Sequence, residues 1–72
     1  MSEIVTAVYE SSATLTNVVD DLAAVGIPSE KIRVFDEKRQ VQVLTAETTH
    51  REITEVLNRH QPSDLRTEAV SS

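Results

Sequence analysis

The apolar positions of this chain change period several times, and each change marks an element. Ile4 to Tyr9 (IVTAVY) alternates with apolar groups on both sides, Ile4 and Val8 on one, Val5, Ala7 and Tyr9 on the other. That is the pattern of a central strand covered twice. Leu15, Val18, Val19, Leu22 and Val25 then recur at three- and four-residue intervals, which lines one face of a helix. Thr16, Asn17, Asp20 and Asp21 fall on the opposite face, toward water. Ser12 is placed to cap the helix start. Gly26, the only glycine, suits a left-handed stop after the last apolar position, and Pro28 forbids continuation.

Alternation returns in Ile32 to Asp36, with Ile32 and Val34 opposed to Arg33 and Phe35. The all-charged Asp36 to Arg39 reads as a short hairpin connection. Gln40 to Ala46 sets Val41 and Val43 against Gln40, Gln42 and Leu44. Thr49 and Glu52 have capping-box spacing ahead of a second helix whose apolar stripe is Ile53, Val56 and Leu57, closed by Pro62. Leu65 to Val70 alternates once more, and residues 70–72 are expected to fray.

The order is β-α-β-β-α-β in a single domain, 1–72. It predicts an α+β, ferredoxin-like sandwich with a four-stranded antiparallel sheet and two helices on one face. Right-handed crossovers put strands one and three in the middle. The helices are expected to cover Ile32, Val34, Val41, Val43 and Leu65, and either side of the first strand. The other sheet face then carries Phe35, Leu44 and either Ile4 with Val8 or Val5 with Tyr9, surrounded by Arg33, Gln42, Arg66 and Glu68. An apolar centre with a polar rim is the anatomy of an interface, although scattered exposed apolar groups are ordinary. The expected interface residues are Arg33, Phe35, Gln42 and Leu44.

Composition sharpens this picture. A chain of 72 residues buries only roughly 60% of its unfolded surface. It has no cysteine, so neither disulfides nor thiolate metal sites can add stability. Burying surface against another copy is the common remedy, which favours a homo-oligomer, a dimer or higher. The formal charge of −5 counts against non-specific nucleic-acid binding. No stretch approaches the roughly 20 apolar residues of a membrane span. The Met-Ser-Glu-Ile start lacks the basic and apolar regions of a secretory signal, so a cytoplasmic protein is expected.

Candidate chemistry is sparse. His50 and His60, ten residues apart on one helix, are separated by roughly 15 Å and cannot share a metal; no metal or cofactor is expected. Asp20 and Asp21 are adjacent and diverge by about 100°, a solvated face and not a catalytic pair. Lys31, Arg33, Lys38 and Arg39 hold four of the seven basic residues, but Glu30, Asp36 and Glu37 are interspersed, which reads as a charged hairpin. Tyr9 is expected to pack at an edge with its hydroxyl in water. There is no Gly-rich phosphate loop, Ser-His-Asp set or cysteine nucleophile, so no enzymatic activity is expected.

Families of this topology supply further tests. Metal-carrying ferredoxin domains need a Cys-x-x-Cys, and RNA-recognition motifs need aromatics on strand three, where this chain has QVQVLTA. The loop YESSAT lacks the arginine of acylphosphatase-like enzymes and the glycine usual in ACT domains. Over its first half the chain resembles the YflT-like general stress domain. The likeness rests on Val8-Tyr9-Glu10-Ser11, Val18-Val19-Asp20-Asp21-Leu22, Gly26-Ile27-Pro28 and Ile32-Arg33-Val34. It implies a small cytoplasmic bacterial protein without assigned catalytic residues. The expectation is a non-enzymatic interaction or regulatory module that self-associates through its sheet, with a protein partner as a further option and no nucleic-acid or membrane partner. The alternative is an ACT-like or PII-like sensor of an amino acid or small anion, binding at a subunit interface near Tyr9, Ser11, Ser12, Lys31 and Arg33.

Overall fold

The computed structural model describes residues 2–70; of the segment expected to fray, Ser71 and Ser72 lie outside the described residues, while Val70 ends the last strand. The fold is α+β. Its strands are β1 (Ser2–Val8), β2 (Ile32–Phe35), β3 (Gln40–Ala46) and β4 (Asp64–Val70), with helix α1 (Ser12–Ala24) between β1 and β2 and α2 (His50–Arg59) between β3 and β4. Short 3-10 turns at Ser29–Lys31, Asp36–Lys38 and Glu47–Thr49 link them. All pairings are antiparallel and the sheet order is β2-β3-β1-β4. The central places of β1 and β3 are those the crossover rule predicts.

The register decides the core. Val5 lies opposite Val43 and Ala7 opposite Val41, so these four side chains share one face. They join Tyr9, Leu15, Val18 and Leu22 of the first half and Ile53, Val56 and Leu57 of α2 in one buried cluster. Both helices therefore pack on the Val5 side of β1. Burying each of the larger apolar side chains contributes about 1.5–3 kcal/mol. The double coverage expected for β1 is corrected to a single one: Ile4 and Val8, on its other side, are only half-buried.

Other expectations also change in detail. The cap of α1 is Ser11, not Ser12: Ser11 is extended and its Oγ accepts from the Ala13 N–H at 3.2 Å. Val25 and Val34, expected under cover, are each 42% exposed. Val25 is the cap residue past the last packed turn, and Val34 sits on the four-residue edge strand, beyond full reach of α1. Asp21 is not fully turned to water, as described below. The Thr49–Glu52 capping box does not form. A 3-10 turn runs into α2, leaving Thr49 at φ −105° and ψ −1°. Its Oγ1 instead bonds the end of β3, donating to the Ala46 carbonyl at 3.2 Å and lying 2.7 Å from Thr45 Oγ1.

The two helix ends show different solutions to one problem. After α1, Gly26 takes φ +98°, and the Gly26 and Ile27 N–H groups donate to Ala23 and Leu22 at 3.0 Å, satisfying carbonyls the helix leaves open. After α2, Gln61 takes the left-handed conformation (φ 54°) without a glycine. A Cβ on Gly26 would meet nothing within 4 Å, so the cost of Gly26→Ala is conformational alone, about 1 kcal/mol. Urea unfolding should show the midpoint lowered at constant slope, and Gly26→Asn should recover part of the loss.

Candidate functional site

The sheet face away from the helices is the surface with most of the expected residues. Because side chains alternate, it carries Ser2, Ile4, Thr6 and Val8 of β1, Gln40, Gln42 and Leu44 of β3, Arg33 and Phe35 of β2, and Asp64, Arg66 and Glu68 of β4. The pairings arrange these in rows across the sheet. Leu44, Ile4 and Glu68 form one row; Arg33, Gln42, Thr6 and Arg66 the next; Phe35, Gln40, Val8 and Asp64 the third. Phe35 and Leu44 are 37% and 41% exposed.

All four expected interface residues, Arg33, Phe35, Gln42 and Leu44, therefore share one face. The choice left open for β1 resolves to Ile4 and Val8. The apolar centre does not form as expected, because a polar row crosses the middle. Thr6, flanked by Gln42 and Arg66, is only 7% exposed, and its neighbours' long side chains separate the Leu44–Ile4 pair from Phe35 and Val8.

At the Leu44 end the face dips into a groove of about 260 Å³ lined by Ile4, Glu30, Lys31, Arg33, Gln42 and Leu44. The 3-10 turn at Ser29–Lys31 supplies its rim. An apolar floor with Lys31 and Arg33 above it favours a carboxylate attached to an apolar body, and Glu30 offsets part of that charge. A second groove of about 270 Å³, lined by Leu15, Thr16, Val19, Asp20, Val34 and Asp36, lies on the helix side between α1 and β2.

The residues expected to hold a small ligand are not brought together. Tyr9, Ser11 and Ser12 follow the C-terminal end of β1, whereas Lys31 precedes the N-terminal end of β2, and the two strands run in the same direction on either side of β3. They lie at opposite ends of the sheet. Tyr9 is moreover a core residue, not an edge residue with a solvated hydroxyl: it is 2% exposed and its Oη donates to the Leu57 carbonyl at 2.8 Å. The expected Lys31, Arg33, Lys38 and Arg39 grouping also divides. Arg39, left-handed at φ 51°, sends Nη1 to the Glu10 carbonyl at 2.9 Å, and its own carbonyl accepts the Tyr9 N–H at 2.8 Å.

Each histidine has a separate partner. His60 Nε2 lies 2.6 Å from Asp21 Oδ2, joining the end of α2 to α1. This is the contact that draws Asp21 from the solvated face, and separation along the sequence hid it. His50 Nε2 lies 3.2 Å from Thr67 Oγ1 and 3.9 Å from Glu3 Oε2. Among the described residues no three His, Cys, Asp or Glu side chains form a metal-holding group. Among the described residues, too, no helix is long and apolar enough to cross a membrane. Comparison with protein-family models, curated proteins and solved structures gave no match.

Burial pushes the Tyr9 phenol up from 10.0 to about 12, because the phenolate would lose its hydration. The unfolded chain releases this proton first, so the folded state is favoured below pH 10 and loses that advantage as pH climbs toward about 12. An alkaline absorbance titration should show phenolate appearing only near the upper value or on unfolding. Tyr9→Phe should remove the pH dependence and cost about 1 kcal/mol for the lost hydrogen bond.

Proposed function

We propose that this chain is a ferredoxin-like, non-enzymatic interaction module that self-associates through the sheet face the helices leave bare. The sheet order β2-β3-β1-β4 and the alternation of its strands with two helices support the fold reading. The observation that carries the functional reading is the direct pairing of Ile4 with Leu44 on the uncovered face. Two large apolar side chains side by side on an uncovered face are better buried against protein than left in water. The YflT-like residues of the first half alone would put such a module in a bacterial stress response.

The groove supports a second reading, a regulatory site for a small anion with an apolar body. It keeps Lys31 and Arg33 of the expected ligand set and releases Tyr9, Ser11 and Ser12.

Two measurements separate the readings. Light scattering at micromolar concentration should give the mass of a dimer for the native chain, and of a monomer for Leu44→Glu with unchanged helical circular dichroism. A native chain that is monomeric under those conditions overturns self-association. In thermal-shift assays, amino acids and aliphatic carboxylates should raise the melting point in proportion to the logarithm of concentration above Kd if the groove is a ligand site. The shift should vanish in Arg33→Ala, and no shift across the panel rejects the second reading.

A further inference from the structure

We propose, resting on the self-association just described, that the partner is a second copy turned about a two-fold axis parallel to the strands, so that the Lys31–Arg33 rim of each receives the partner's Glu68. The argument is charge complementarity across the face. Its β2 edge carries Lys31 and Arg33 with Glu30; its β4 edge carries Asp64 and Glu68 with Arg66, all of them exposed. Arg66 is already committed, its Nε lying 3.1 Å from Asp64 Oδ2. One edge of the face is therefore basic and the other acidic.

Closed face-to-face dimers of such a sheet have two simple in-plane axes. An axis perpendicular to the strands lays β2 on the partner's β2 and β4 on the partner's β4, setting like charge on like. An axis parallel to the strands and between β3 and β1 lays β2 over the partner's β4 and β3 over the partner's β1. Leu44 then meets the partner's Ile4, and Ile4 meets the partner's Leu44. Lys31, which leads into β2 and lines the groove beside Leu44, comes toward the partner's Glu68 at that end of the sheet, and the groove gains a carboxylate from outside. Two juxtapositions are unfavourable: Arg33 over the partner's Arg66, moderated by the carboxylate that Arg66 already holds, and Phe35 over the partner's Asp64. Aligned packing at roughly −30° is the usual angle for two twisted sheets.

Area sets the strength. Four strands about 4.8 Å apart, each spanning up to seven residues at about 3.3 Å, give a face of roughly 20 by 23 Å. That is roughly 450 Å² in projection, below the ~800 Å² per partner of a standard interface before side-chain relief is added. Such a dimer is of moderate affinity and sensitive to its rim charges.

The symmetry supplies its own test. Lys31→Glu places glutamate on both rims of one chain, and Glu68→Lys places lysine on both rims of the other. Each variant alone should lose self-affinity by about tenfold or more. Mixed, they should form a heterodimer with both ion pairs rebuilt and near native affinity, read by sedimentation and native mass spectrometry with melting curves confirming the fold. Variants that self-associate like the native chain, or that show no preference for each other, overturn the orientation. If Leu44→Glu still dissociates the native dimer in that case, self-association through the sheet stands without it. A native chain that is monomeric overturns both.

Discussion

The alternation of β1 between its two neighbours is the constraint on which the rest of the molecule depends. β1 pairs along its whole length with β3 on one side and β4 on the other. The side on which Val5 and Ala7 fall therefore fixes the side for Val41, Val43 and Leu65 as well. A slip of one residue would carry Ile4, Thr6 and Val8 under the helices and expel Val5 and Ala7. The energetic preference is large, because a threonine hydroxyl buried beneath two helices would need a partner there, whereas the native register gives the helices valine, alanine and tyrosine.

Below that level the local chemistry is mutually consistent. Ser11 starts α1, Gly26 ends it, and the apolar stripes of α1 and α2 meet the same buried strand positions, Val5, Ala7, Val41 and Val43. Tyr9 connects these layers, since its ring lies in the core and its hydroxyl ties β1's exit to α2. Arg39 does the same with its carbonyl, which accepts from the Tyr9 N–H, and its guanidinium, which donates to the Glu10 carbonyl, holding both residues to the start of β3. A small chain with no cysteine thus fastens its ends with hydrogen bonds placed at the joints between elements.

Most of this was legible in the residue pattern because period and punctuation are local properties. The strand from Gln40 to Ala46 has the observed bounds, and the faces of β2 and β3 follow directly from alternation. What could not be read was set by contacts between distant segments. The ambiguity of Ile4 to Tyr9 arose because both its sides are apolar, and only pairing with β3 and β4 resolves it. Asp21 and His60 are separated by most of the fold, so no spacing rule joins them. The polar row through Thr6 was hidden for a similar reason: Arg33, Gln42 and Arg66 look like a rim strand by strand and become a central band only when the strands are aligned. Thr49 shows the opposite error, a real local motif overruled by the turn that precedes it.

β2 contributes Arg33 and Phe35 to the exposed face, and Lys31 leads into it, yet it has only four residues and ladders with a single neighbour. None of its side chains is fully buried. Backbone segments with so little anchorage open well before a domain melts as a whole. This edge strand can therefore detach and re-form while the core under β1 stays intact, so its local opening precedes global unfolding. Anything that clamps this edge strand slows amide exchange there first, and because it holds only the folded chain it raises the melting of the whole domain as well.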